Sequence, residues 1–67
     1  MTNSIKVERA KKNITQAELA EQVNVSRQTI NSIEIGKFIP STLLALKIAK
    51  FFDSTVDEIF KLEKSDF

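Results

Sequence analysis

The sequence has no cysteine and no histidine, which removes disulfides, thiolate and imidazole metal sites, a cysteine nucleophile and a histidine base. Most catalytic and metal chemistry goes with them, so neither an enzyme nor a cofactor is expected. Tryptophan and tyrosine are absent too, and the five phenylalanines sit mainly at core spacings. They do not read as a stacking platform, which leaves RNA binding a weaker rival reading. No apolar run approaches the roughly 18 residues of a membrane span. Lys6, Glu8 and Arg9 interrupt the only stretch where a signal peptide would lie. A cytoplasmic chain is expected, with no membrane partner and no small-molecule ligand evident.

What remains is a globular balance. Of 67 residues, 42% are hydrophobic and 28% charged, with one glycine and one proline, which reads as a mostly helical fold rather than a disordered chain. The length suits a single domain, residues 1–67, near the size where a core must be efficient or be completed by a partner. The net charge of +1 hides an asymmetry: eight of the ten Lys and Arg, but four of the nine Asp and Glu, precede residue 51. Such a chain offers one end to a polyanion and keeps the other away from it.

Five helical segments follow from their start and stop signals. Ile5 to Lys12 is a modestly amphipathic first helix, with Glu8 spaced to pair with Lys12. Thr15-Gln16-Ala17-Glu18 is a capping box, and Ile14 and Leu19 stand at hydrophobic-staple spacing, so the second helix has a strongly specified start. Leu19, Ala20 and Val23 face the core, and Asn24 tolerates the left-handed backbone of a tight turn. Ser26 caps a third helix, stapled by Val25 and Ile30, with Ile30 and Ile33 buried and Gly36 closing it. Ser41 caps a fourth, Thr42 to Phe52, with one apolar stripe at Ala45, Leu46, Ala49 and Phe52 and a second at Leu44, Ile48 and Phe51. A helix apolar on two sides needs two burying surfaces. Thr55-Val56-Asp57-Glu58 is a second capping box and opens a short fifth helix. The tail, Lys61 to Phe67, reads either as a short strand or as a disordered end.

The informative stretch is Gln16 to Gly36. Two short capped helices are joined by a turn at Asn24, with small Ala20 permitting a close crossing, and this is helix-turn-helix geometry. The outward residues of the second of these helices are Ser26, Arg27, Gln28, Thr29, Asn31 and Ser32. Guanidinium and amide groups at such positions pair bidentately with guanine and adenine edges. The plain alternative, a solvated helix face, loses weight because the setting agrees on both sides. The acidic group Asp53, Asp57, Glu58, Glu63 and Asp66 is accounted for by capping and solubility rather than by a metal.

The run Thr-Gln-Ala-Glu-Leu-Ala-Glu-Gln-Val-Asn-Val-Ser-Arg-Gln-Thr-Ile-Asn-Ser-Ile-Glu-Ile-Gly-Lys, continued by Pro40, Ser41, Ala45 to Ala49 and Ile59-Phe60, resembles the Cro and phage-repressor (xenobiotic-response-element) family. The resemblance spans about residues 5 to 62 and is strongest to short stand-alone members of the cytolysin-repressor type. It implies an all-α, five-helix, lambda-repressor-like domain, with the helix-turn-helix at about 16–34 and a dimerisation region at about 39–67. The short members also suggest a two-stranded β-ribbon between the tail and the N-terminal residues. The implied function is a transcriptional regulator, a repressor acting as a homodimer on an inverted-repeat operator in double-stranded DNA.

Carried over by position, Arg27, Gln28 and Asn31 are the base contacts, with a phosphate as the alternative for Arg27. Gln16, Ser26, Thr29, Ser32 and Lys37 are phosphate or mixed contacts. Arg9 and Glu34 fall where phage repressors carry a structural ion pair. The second stripe and the chain end give Leu44, Ile48, Phe51, Val56, Ile59 and Phe60 as the expected dimer surface. An antitoxin built on the same fold is the rival reading, weakened by the few tail residues left for a toxin.

Overall fold

The computed structural model describes residues 1–67. Five helices, α1 (Ile5–Lys12), α2 (Gln16–Val23), α3 (Arg27–Glu34), α4 (Thr42–Phe51) and α5 (Val56–Ile59), are framed by two short strands, β1 (Thr2–Asn3) and β2 (Phe60–Lys61). A 3₁₀ turn, Lys64–Asp66, ends the chain.

The local chemistry explains the boundaries. The Thr15 hydroxyl accepts from the Glu18 amide while the Glu18 carboxylate accepts from the Thr15 amide, a closed capping box that satisfies two donors at the start of α2. Thr55 and Glu58 repeat it at α5. Ser26 and Ser41 cap α3 and α4 through the amides of Thr29 and Leu44. Asn24 ends α2 with φ 61°. After α3 the Gly36 amide donates to the Ile33 carbonyl at 3.0 Å and the Lys37 amide to the Ser32 carbonyl at 2.9 Å, a Schellman closure. Gly36 holds φ 81°, and a Cβ there would meet nothing within 4 Å. Backbone conformation alone requires the glycine.

One core unites all five helices: Ile5, Leu19, Ala20, Val23, Ile30, Ile33, Leu44, Ile48, Ala49, Phe52, Ile59 and Phe60. Ile14 and Val25, the staple residues, pack against it from the partly buried margin. α4 carries a single wide inner stripe rather than the two read from sequence. Leu44, Ile48 and Phe52 succeed one another at four-residue steps, with Ala45 and Ala49 alongside, so one surface takes them all. Leu46 lies outside that stripe and is 55% exposed, as Leu43 is at 64%.

This placement turns most of the expected dimer set inward. Leu44, Ile48, Ile59 and Phe60 are enclosed by the chain's own core, and only Phe51 and Val56 of that set remain partly exposed. Glu8 pairs with Lys11 at 3.2 Å, three residues on, instead of Lys12, whose ammonium lies 5.5 Å from the Phe51 ring centre. The tail is ordered: β1 and β2 pair antiparallel, Thr2 opposite Lys61 and Asn3 opposite Phe60. The terminal ammonium of Met1 meets Glu63 and Asp66 at 2.9 Å each.

Candidate nucleic-acid interface

α3 is held from three directions before it can present anything outward. Its inner face is Ile30 and Ile33, both buried. Its C-terminal end is clamped by Arg9, whose Nε donates to Glu34 Oε2 at 2.7 Å and whose Nη2 donates to Glu34 Oε1 at 3.1 Å. The fork is bidentate and the Glu34 side chain is only 5% exposed, the geometry in which a guanidinium–carboxylate pair is strongest. Glu34 raises the Arg9 pKa through this hydrogen bonding, against the opposing effect of burial. Arg9 Nη1 also donates to the Ile14 carbonyl at 3.1 Å, so one guanidinium ties α1 to the entry of α2 and to the exit of α3.

The third hold was not legible in the sequence. Asn3, in β1, donates from Nδ2 to the Ile33 carbonyl at 2.9 Å and accepts from the Ile5 amide at 3.2 Å. The ribbon therefore braces the last turn of α3. The only sequence signal is an amide just before a helix start, where local capping is the simpler assignment.

The outward face divides into two flanks. On one side Gln16 Nε2 donates to Asn31 Oδ1 at 3.1 Å and to Glu34 Oε1 at 3.2 Å, while Arg27 Nη1 donates to Gln16 Oε1 at 3.3 Å. Gln16, Arg27 and Asn31 thus form one cluster across the α2–α3 crossing. On the other side Ser26, Gln28, Thr29 and Ser32 line a shallow hollow closed by Phe38. The Ser26 hydroxyl is committed to Thr29, accepting from its amide at 3.1 Å and lying 2.9 Å from its hydroxyl.

Gln28, on the hollow's flank, lies opposite Ile30 and Ile33 on the helix, exposed and outside the Gln16 cluster. Arg27 and Lys37 join none of the chain's ion pairs. Two cations outside any ion pair and one uncommitted amide, Gln28, therefore face outward, while the amides of Gln16 and Asn31 are bonded to each other. No group of His, Cys, Asp and Glu is placed to hold a metal, and no helix is long and apolar enough to cross a membrane.

Residues 5–59 match the model of the helix-turn-helix family, which takes in all five helices. The chain belongs to the Cro/C1-type helix-turn-helix family. It is 50% identical over 66 residues, 98% of its length, to the whole of an HTH-type transcriptional regulator of Methanocaldococcus jannaschii. It is 44% identical over the same share to the whole of the HTH-type regulator YgzD of Bacillus subtilis. The activator BcrR of Enterococcus faecalis is 45% identical over 84% of this chain, which spans 28% of that protein. Among solved structures, the clp gene regulator ClgR of Corynebacterium glutamicum superposes with a TM-score of 0.73 at 28% identity, covering 79% of this chain and 56% of that one. These relatives are DNA-binding transcriptional regulators, not enzymes. The stretch expected as the helix-turn-helix, about 16–34, is occupied by α2 and α3.

Proposed function

We propose that the chain is a cytoplasmic repressor that binds an inverted-repeat operator as a homodimer, with α3 in the major groove. The observation that carries this reading is the free polar face of α3, centred on Gln28, on a helix whose every other side is fixed. A rigid helix presenting an unpaired amide loses little conformational freedom when that amide meets adenine. Arg27 and Asn31 join Gln28 as base contacts, released from Gln16 on binding. Gln16, Ser26, Thr29, Ser32 and Lys37 take the backbone and mixed contacts that fix register.

Dimerisation is supported by a face that the core leaves uncovered. Leu43 and Leu46 lie three apart on the outer side of α4, both more than half exposed, and Ile39, 64% exposed, precedes them by one helical turn's length of chain. Leu46 also borders a hollow shared with Val56. Water contact at these residues is relieved by the same face of a second copy, which is the isologous arrangement of a two-fold dimer. Two α3 helices then read half-sites about 34 Å apart, one DNA turn. Occupying a promoter in this way suffices to block transcription.

The test is selection of bound fragments from a random duplex pool, followed by a reporter carrying the enriched site. An inverted repeat, bound by two chains and lowering reporter output, is the expected result. Enrichment of a single half-site by a monomer would overturn the dimer. Rising output would make the protein an activator like the relative BcrR.

A further inference from the structure

The hollow beside Gln28 has one apolar wall, and its position points to a specific chemical group. Phe38 is 49% exposed, yet its backbone is fixed: its amide donates to the Ser32 carbonyl at 3.2 Å, the same carbonyl that accepts from Lys37. The Gly36 turn therefore folds the loop back along α3, and Phe38 lines one hollow with Ser26, Gln28, Thr29 and Ser32. The core makes no use of this ring. It shares the hollow with Gln28 at the edge of the outward face of α3 and directly follows Lys37 in the chain.

Resting on the reading of α3 as the major-groove helix, we propose that Phe38 reads the C5-methyl group of a thymine next to the base held by Gln28. The major-groove edge of DNA is almost wholly polar, and the thymine methyl is its one apolar feature. A ring lying beside an adenine-reading amide fits that feature. Phosphate and sugar carry no methyl group, so the alternative use of this wall predicts no preference between thymine and uracil. Cytosine, with hydrogen at C5, leaves the wall facing water. The residue adds a specificity element from outside the helix-turn-helix itself, delivered by the Schellman turn that ends α3.

The experiment uses the duplex enriched from the random pool and replaces its thymines one at a time with deoxyuridine, which removes only the methyl. For the wild-type chain, one thymine in each half-site should be sensitive, with about a fourfold loss in affinity per half-site, the worth of one buried methyl group. Phe38→Ala should bind the thymine and deoxyuridine duplexes equally, and Phe38→Leu, still apolar, should keep part of the discrimination. Phe38 is half-exposed and outside the core, so circular dichroism should find both variants folded. Three results overturn the proposal: no thymine is sensitive, the sensitivity survives in Phe38→Ala, or Phe38→Ala weakens operator and scrambled duplex alike. A duplex that depends on Gln28 but shows any of these leaves the α3 reading standing. A pool that enriches no sequence removes that reading, and this inference with it.

Discussion

At the scale of single residues, Gln28 and Lys37 differ in what they can tell a ligand, and they should fail differently. An amide donates to adenine N7 and accepts from its N6 amino group, a pairing no other base completes. Gln28→Ala should therefore cost about 1–3 kcal/mol at one operator position and lower the operator-to-scrambled affinity ratio. Lys37 offers only a point charge, so Lys37→Ala should weaken both duplexes alike and flatten the salt dependence by about one unit of slope. Titrations of both variants at several salt concentrations check this; an unchanged ratio in Gln28→Ala would remove the residue from the reading surface. Arg9 belongs to support rather than contact. With the pair 14% and 5% exposed, Arg9→Ala strands a largely buried carboxylate and should destabilise the fold by about 3–5 kcal/mol. The double replacement Arg9→Met, Glu34→Leu should lose much less, because no charge is left unpaired. Urea unfolding of the two proteins decides it. The residue types of the site were legible in the sequence, since helical spacing sorts α3 into inner Ile30 and Ile33 and an outer polar set. The tethering of Arg27 and Asn31 to Gln16 was not, because it depends on how closely α2 and α3 cross.

At the scale of elements, the best-read features are those whose causes are local. A capping box needs four consecutive residues and a staple six, so the starts of α2, α3, α4 and α5 stood in the sequence at Thr15, Ser26, Ser41 and Thr55. The ribbon is the opposite case: β1 and β2 join the two ends of the chain, and Asn3 and the Ser4 that follows it are poor strand formers. What holds it is partly electrostatic, which gives it a pH window. Hydrogen bonds to Glu63 and then Asp66 raise the Met1 ammonium above the ordinary 8.0. The Glu63 backbone amide, with the Met1 ammonium, lowers the Asp66 carboxyl below the ordinary 3.8. A raised amine stabilises the folded ends fully below 8.0 and loses that contribution as pH rises through its folded value. A lowered carboxyl contributes above 3.8 and is lost as pH falls through its folded value. Cross-strand proton contacts between Asn3 and Phe60 should therefore be strongest between these limits and weaken on both sides. Acetylating the amine should abolish the alkaline loss and reduce the acid one. A ribbon indifferent to both treatments would show that backbone pairing and the Phe60 anchor hold it alone.

At the scale of the whole molecule, the sequence was least able to separate the surface a chain keeps for itself from the one it offers a partner. α4 is apolar around most of its circumference, and Leu43, Leu44, Leu46 and Ile48 are equivalent until the other helices are in place. Once the folded core encloses Leu44 and Ile48, the outer Leu43 and Leu46 remain, and the proposed dimer rests on them. Their exposure makes the proposal separable from folding. Leu43 contributes little to its own core, so Leu43→Glu should leave the unfolding midpoint of the isolated chain nearly unchanged. In a two-fold interface each substitution acts twice. Losing two half-exposed leucines from a buried contact, at about 1.5 kcal/mol each, weakens association by about 3 kcal/mol, roughly 150-fold, before any repulsion between the new carboxylates. Sedimentation should show monomers at concentrations where the wild-type chain is paired. The same variant should bind an isolated half-site normally and the full inverted repeat weakly, since the α3 surface is untouched and only the linkage between half-sites is lost. If Leu43→Glu remains dimeric, or if the wild-type chain is monomeric both free and on the full repeat, the outer face of α4 is not the dimer interface.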